Sequence, residues 1–135
     1  MSYFRNKSDI LGESALCLKD KSFFPGVAHC SYYRCYLLIQ DIWYNVLGKT
    51  EGDISIAKNY QDSSHMVLIK EVENLIKNSG EPNAAFESKT FKRKFFDLKR
   101  LRTSADYKDE DFTYDMCCES ISLSDDLVPL LKRIK

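Results

Sequence analysis

Apolar residues recur along this chain at the spacing of helices. Between residues 91 and 107, Phe91, Phe95 and Leu98 follow one another at alternating steps of four and three, which places them on one helical face. No stretch shows the strict alternation of apolar and polar residues that a half-buried strand requires. The pattern predicts an all-α fold, namely an up-and-down bundle of four to five helices.

End signals divide the first part of the chain into three helices. The first is predicted to begin at Tyr3 or Asp9 and to end at Lys19, with a turn over 20–22. Pro25 suits the first turn of a long second helix, which ends at Gly48. The polar segment 48–62 is predicted to be a loop. A third helix then runs to 78, and Ser63 or Ser64 caps it.

Two further helices are predicted in the second part of the chain. Ser88 is expected to cap the helix that contains residues 91–107. The last helix is expected to begin after Tyr107, where acidic residues 109–111 complement the positive end of its dipole. Pro129 is expected to kink or divide this last helix, because proline removes a backbone hydrogen bond.

The predicted second helix is apolar on two sides. One stripe comprises Ala28, Tyr32, Cys35, Ile39, Ile42 and Val46, and much of a second comprises Tyr33, Tyr36, Trp43 and Leu47. A helix of this kind needs two packing partners, so it lies either at the centre of the bundle or at a subunit interface. From the second alternative we predict a homodimer.

Composition bounds the class of protein. The 135 residues suit one domain over 1–135, and 20 basic residues balance 20 acidic ones, so net charge indicates no partner. The N-terminus reaches charged residues before any apolar block, and no apolar run approaches the ~20 residues of a membrane helix. Five cysteines form no disulfide framework and no zinc pattern. We therefore expect a soluble, cytoplasmic protein without a metal, a cofactor or a membrane partner.

The net charge is zero, but basic and acidic residues are clustered in different parts of the sequence. Seven basic residues, against the single acid Asp97, occupy the stretch 89–102: Lys89, Lys92, Arg93, Lys94, Lys99, Arg100 and Arg102. Acidic residues dominate 106–126. Two interpretations remain open, a solvated basic face that is partly paired with an acidic neighbouring helix, or a patch that contacts phosphates.

Candidate chemistry centres on Arg102. Continuing the rhythm of the Phe91 stripe leads to Arg102, where a permanent charge needs an anion or a set of acceptors. Asp106 and Tyr107 follow at once, so the three form either a site or a structural pair that closes a turn. The common catalytic signatures are absent. His29 and His65 remain as candidates, and the dipole at the start of the third helix is expected to keep His65 neutral.

The segment Leu101-Arg102-Thr103-Ser104-Ala105-Asp106-Tyr107 resembles the Leu-Arg-x-x-Ala-Asp-Tyr segment of HEPN-domain proteins. The stretch Ala28-His29-Cys30-Ser31-Tyr32-Tyr33 is similar to the Ala-x-x-Ala-Tyr-Tyr helix of that family, and Ser64-His65 also has family parallels. The order of the elements matches over nearly the whole chain.

The resemblance implies a HEPN-like helical bundle that dimerises, with the arginine segments of two protomers near one cleft. Many HEPN proteins are metal-independent ribonucleases of toxin–antitoxin or defence systems, and they often pair with an MNT-type nucleotidyltransferase. Arg102 and Thr103 match the active motif of these ribonucleases. Tyr107 stands where that motif has a histidine, so catalysis is left open.

Three functions follow as alternatives. The first is a dimeric protein that binds RNA, a nucleotide or a nucleotidyltransferase-type partner in a cleft of Arg102, Asp106 and Tyr107. The second is an active metal-independent ribonuclease in which Arg102 holds the phosphate and Tyr107 or Asp106 replaces the histidine. The third is a structural helical adaptor without a ligand. Further binding candidates are Thr103, Lys99, Tyr33, His29 and His65.

Overall fold

A computed structural model describes residues 2–58 and 63–135, and the described residues form six helices and no strand. The helices are α1 (Tyr3–Asp20), α2 (Phe24–Asp41), α3 (Glu51–Ala57), α4 (Ser64–Lys77), α5 (Ala84–Tyr107) and α6 (Tyr114–Lys132). A π-helical segment, Ile42–Val46, continues α2. The all-α prediction is confirmed, and the architecture is a helical bundle of five long helices and the short α3. None of the described helices is long and apolar enough to cross a membrane.

Helix α2 occupies the centre of the bundle. It packs against α1, α4, α5 and α6, and ten of its residues are buried. Both of its apolar stripes are therefore covered within one chain, which is the first of the two alternatives that the sequence left open. The two-sided helix no longer argues for a dimer by itself, and dimerisation stays a prediction that rests on the family resemblance.

The apolar stripe of α5 packs into the larger of two hydrophobic clusters. Phe91, Phe95 and Leu98 are each 0 % exposed, as the spacing of these residues predicts. Leu101 continues the helix into the smaller cluster, which joins α1, α2 and α6. Helix α5 thus connects the two cores, and Arg102 follows Leu101 at the boundary between core and solvent.

The predicted loop over 48–62 is wrong for residues 51–57, which form α3. Thr50 caps this helix, since its hydroxyl accepts from the Asp53 backbone N–H at 3.2 Å and its own N–H donates to the Asp53 carboxylate at 2.8 Å. These reciprocal bonds satisfy two otherwise unpaired donors at the helix start. The part of the loop prediction that concerns residues 59–62 lies outside the described residues.

Several predicted boundaries also need correction. Helix α1 includes Asp20, which the sequence predicts to lie in a turn. Ser88 does not cap α5, because the helix begins at Ala84; Ser88 is buried and donates to the Glu73 carbonyl at 3.2 Å. Ser63 does cap α4, as predicted, by accepting from the Met66 N–H.

The last helix begins later than its acidic residues suggest. Residues 109–111 precede α6, and Thr113 caps it by accepting from the Met116 backbone N–H at 3.2 Å. The acidic residues therefore do not occupy its first turn. Pro129 is exposed and does not divide the helix, which is continuous to Lys132.

Candidate functional site

Arg102 lies where the buried stripe of α5 meets the surface. The residue is only 7 % exposed, although its side chain carries a permanent charge. The predicted position of an arginine on the packing face is therefore confirmed. A guanidinium at such a place must be compensated by its neighbours, since burying an isolated charge is costly.

Three tyrosine rings surround the guanidinium. The Arg102 Cζ atom lies 4.6 Å from the ring centre of Tyr32, 5.6 Å from that of Tyr33 and 5.5 Å from that of Tyr107. Cation–π attraction offsets part of the desolvation of the charge at these distances. Together with their polar neighbours these residues make up what we term the arginine cluster: His29, Tyr32, Tyr33, His65, Lys99, Arg102, Asp106 and Tyr107.

Polar contacts satisfy Arg102 incompletely. Its Nη1 donates to the Tyr107 hydroxyl at 3.4 Å and lies 3.9 Å from Asp106 Oδ2, at the outer limit of an ion pair. Its Nε is buried without a hydrogen-bond partner among the described residues. Buried polar groups are hydrogen-bonded in the great majority of cases, so this donor is unusual. The guanidinium thus retains capacity for a further acceptor.

Asp106 is shared between Arg102 and a histidine. Its Oδ2 lies 2.8 Å from His29 Nδ1, a much shorter contact than the one to Arg102. The His29 side chain is half exposed, and its ring lies 4.8 Å from that of Tyr33. Helices α2 and α5 are the elements that bring these residues together. The carboxylate orients the imidazole and leaves its other nitrogen free of that contact.

His65 meets the cluster from the start of α4. Its Nδ1 lies 2.8 Å from the Tyr32 hydroxyl, and its ring stacks edge-on against Tyr36 at 4.0 Å. Burial lowers the pKa of His65, and the cations Lys99 and Arg102 lower it further. The predicted neutral state agrees with this direction, but the contributing causes are burial and neighbouring cations rather than the helix dipole alone.

Lys99 adds a second cation to the cluster. Burial lowers the pKa of Lys99, and Arg102 on the next turn of α5 lowers it further. Burial also raises the pKa of Tyr32, so its phenol keeps its proton near neutral pH. Lys99 and Arg102 are therefore neighbouring cations, and Asp106, the carboxylate of the cluster, lies 3.9 Å from Arg102. This arrangement produces a positive local potential that favours an anion.

The structure brings together seven of the eight residues singled out as catalytic or binding candidates. The exception is Thr103, which is partly exposed on α5 and makes no side-chain hydrogen bond to another described residue. Tyr32 belongs to the cluster and Tyr36 contacts its His65 ring, although the sequence places both tyrosines only on packing stripes. The available signal was their helical spacing, because Tyr32 follows His29 by three residues and Tyr36 follows Tyr33 by three.

The basic run of α5 is partly paired. Lys94 contacts Asp126 of α6 at 2.7 Å, Lys92 lies 4.0 Å from Glu73, and Arg100 contacts Asp97 at 3.1 Å. The interpretation of a solvated face with an acidic neighbour therefore fits these residues. Lys99 and Arg102 differ from them because they turn towards the tyrosines and His65.

The geometry defines an all-helical bundle with an arginine-centred cluster between α2, α4 and α5. Among the described residues, no group of three or more histidine, cysteine or acidic side chains is arranged to hold a metal ion. Comparison with known proteins found no matching family model, no matching curated protein and no matching solved structure. The HEPN resemblance therefore rests on the quoted motifs.

Proposed function

We propose that this chain is a HEPN-like protein that binds RNA or a nucleotide through a phosphate at the arginine cluster. The observation that carries the proposal is the state of Arg102. The guanidinium is buried, its Nε has no partner among the described residues, and its nearest carboxylate is 3.9 Å away and held by His29. A phosphate oxygen supplies the acceptor that this arrangement lacks.

The aromatic residues favour a nucleotide over a bare phosphate. Tyr107 is 73 % exposed, and Tyr33 is partly exposed beside it on the surface of the cluster. Nucleobases stack on such rings, and each stacking contact with a base contributes about 1–3 kcal/mol in single-stranded complexes. Lys99 provides a second positive charge for a neighbouring phosphate.

The test compares two arginines on the same helix. Fluorescent single-stranded RNA and labelled ATP are titrated against the protein and against Arg102→Ala and Arg100→Ala. Loss of a charge-assisted hydrogen bond is worth about 1.5–3 kcal/mol, so Arg102→Ala should weaken binding roughly 10- to 100-fold. Arg100→Ala should have little effect, because Arg100 is exposed and paired with Asp97.

An equal loss of affinity in both variants would show that binding uses the general basic face and not the cluster. Unchanged binding in Arg102→Ala would remove the proposal. A loss of stability in Arg102→Ala, with RNA, nucleotide and partner binding all unchanged, would instead support the alternative of a structural adaptor. Circular dichroism and urea unfolding of each variant separate these outcomes.

A second candidate function, a metal-independent ribonuclease, is favoured by the contact between His29 and Asp106. The sequence suggests Tyr107 or Asp106 in place of the family's histidine, but a tyrosine is a poor base at neutral pH. His29, oriented by Asp106, is a better acceptor for the 2'-hydroxyl proton. As the 2'-oxygen attacks phosphorus and the bond to the 5'-oxygen breaks, Arg102 would stabilise the phosphate charge and solvent would protonate the leaving oxygen.

The enzymatic alternative is tested with purified protein in EDTA. We expect cleavage of RNA to a 2',3'-cyclic phosphate, and we expect His29→Ala to slow it about 100-fold or more, as for loss of a general base. RNA with 2'-deoxynucleotides at the cut site should resist. If structured and single-stranded RNA both remain intact at several pH values, the chain binds without cleaving.

The wider setting of the proposal comes from the family resemblance. It comprises a cytoplasmic homodimer, a nucleotidyltransferase-type partner and a role in a toxin–antitoxin or defence system. Light scattering at micromolar concentration tests the dimer, and a monomer would remove that part. The gene adjacent to this one tests the paired system, because a nucleotidyltransferase there would support it.

A further inference from the structure

A cavity of about 250 Å³ lies between α1, α2 and α6, away from the arginine cluster. Its polar lining includes Asp9, Glu13, Ser31, Arg34 and Asp125. Ser31 and Arg34 lie on α2, as do His29, Tyr32 and Tyr33 of the arginine cluster. The helical period of about 100° per residue places these two sets on opposite sides of α2. The cavity is therefore separate from the proposed RNA site.

Two buried polar atoms of this lining have no hydrogen-bond partner among the described residues. They are the hydroxyl oxygen of Ser31, a residue that is 1 % exposed, and Nε of Arg34. Gly12 explains the position of the guanidinium, because a Cβ atom at residue 12 would come within 2.9 Å of Arg34 Nε. A buried hydroxyl without a partner is unfavourable, because it has lost its hydrogen bonds to water. A ligand with an acceptor atom would supply a new hydrogen bond.

The charges around the cavity are unbalanced. Arg34 contacts Asp125 at 2.8 Å, and Lys132 contacts Asp9 at 2.9 Å, so these two carboxylates are neutralised. Glu13 is exposed and makes no ion pair or hydrogen bond with another described residue. One negative charge is therefore left over in the lining of the cavity that also contains the unpaired hydroxyl. This pattern favours a ligand with one positive charge and one neutral oxygen.

We propose that this cavity binds a small primary amine that also carries a carbonyl or hydroxyl oxygen. The ammonium group pairs with Glu13, and the oxygen accepts the hydrogen bond of the Ser31 hydroxyl. The class includes amino alcohols and amides of amino acids. The volume lies just below the ~300 Å³ at which pockets for drug-sized ligands begin, so the ligand is small.

The experiment tests the ammonium group and the oxygen acceptor of the proposed ligand separately. Glycinamide and ethanolamine carry both, ethylamine carries only the cation, and acetamide carries only the oxygen. Each is titrated to tens of millimolar into isotopically labelled protein, and amide chemical shifts of residues 12, 13 and 31 are followed. We expect saturable shifts with glycinamide and ethanolamine, and affinities at least about tenfold weaker for ethylamine and acetamide, as the loss of one charged or polar contact predicts.

Matched variants identify the protein groups. Glu13→Gln should abolish the shifts, Ser31→Ala should weaken binding severalfold, and Asp109→Asn should leave it unchanged. Asp109 is an exposed acid outside the cavity, so its substitution removes the same charge elsewhere.

Three outcomes would overturn the proposal. They are the absence of saturable shifts for both bifunctional amines, equal binding of ethylamine, and equal loss of binding in Asp109→Asn and Glu13→Gln. The last would show that only the net charge of the protein matters. None of these outcomes bears on RNA binding, which is measured at Arg102.

Discussion

Tyr32 links the two halves of the arginine cluster. Its ring lies against the Arg102 guanidinium, while its hydroxyl lies 2.8 Å from His65 Nδ1. The residue is 0 % exposed, so neither partner is easily replaced by water. Tyr32 therefore fixes the start of α4 relative to the end of α5, which is the geometry that any ligand at Arg102 depends on.

Removing this hydroxyl tests that role. We expect Tyr32→Phe to lower the free energy of unfolding by about 1–2 kcal/mol, because it leaves His65 Nδ1 without its buried partner. Tyr107→Phe is the matched control and should change stability by less than about 0.5 kcal/mol, since Tyr107 is exposed. Urea unfolding measures both. Equal effects would show that the His65 contact contributes nothing specific.

His65 also makes stability depend on pH. Burial lowers its pKa below the ordinary value of 6.5 in the folded chain, so the unfolded chain binds this proton first as pH falls. Stability should therefore decline from pH 6.5 downwards until the lowered folded pKa is passed. Urea midpoints at stepwise pH should show this decline in the wild type and a shallower one in His65→Gln. An unchanged profile in His65→Gln would contradict the assignment.

At the residue scale, the sequence predicts which residues belong to the candidate site better than it predicts which side chains contact each other. Arg102 was predictable because the period of α5 is regular from Phe91 onwards, and Asp106 and Tyr107 followed from their proximity in sequence. The contact between His29 and Asp106 joins residues 77 positions apart and depends on how α2 and α5 pack. No local pattern encodes such a distance. This is why the histidine that accompanies Asp106 could be named as a candidate but not paired.

The short helix α3 depends on its first residue. The reciprocal hydrogen bonds between Thr50 and Asp53 hold seven residues in a helix that is too short to be stable alone. The Thr50 carbonyl also accepts from the indole N–H of Trp43 at 3.0 Å. The cap thus attaches α3 to the end of α2.

Thr50→Ala should destabilise α3 by about 1 kcal/mol, the usual cost of losing such a cap. Thr50→Ser keeps the hydroxyl and should restore most of that stability. Hydrogen exchange of the amides in α3 is the direct measurement, with those of α4 as internal reference. If both variants exchange like the wild type, packing alone would hold α3, and the cap would be incidental.

At the element scale, the predicted and observed helix starts differ where the local sequence is compatible with more than one start. Ser88 has a good capping side chain, but α5 begins at Ala84, and the side chain of the preceding Asn83 makes no capping hydrogen bond. Similarly, Thr113 caps α6, and the acidic residues 109–111 lie before the helix. Local preference allowed each alternative, and packing decided between them: Ser88 is buried against α4, where its hydroxyl reaches Glu73. Such choices depend on neighbours that are distant in sequence.

The whole molecule is organised around α2, which reaches four other helices. Since its two apolar faces are covered within one chain, the fold does not need a second subunit for its core. We expect dilution below the range of the proposed dimer to leave the helical circular dichroism signal unchanged, because the monomer retains its packed core. Light scattering monitors the association in parallel. Loss of helicity on dilution would show that folding and association are coupled.

At this scale the sequence predicts the class of fold but not its concave surfaces. The two apolar sides of α2 predicted a helix with more than one packing partner, and α2 does pack against several helices of the bundle. The cavity beside Ser31 requires the register of α1, α2 and α6 together, and it depends on Gly12 leaving room for Arg34. That arrangement is a property of three helices in contact. No single segment contains it.

The indole of Trp43 gives this protein an intrinsic fluorophore in a known place. It is the only tryptophan in the chain, it is 2 % exposed, and the Lys49 ammonium lies 4.7 Å from its ring centre. Its emission therefore reports on the junction of α2 and α3 without any label. A red shift of Trp43 emission that precedes the loss of the helical circular dichroism signal would show that α3 detaches before the bundle unfolds.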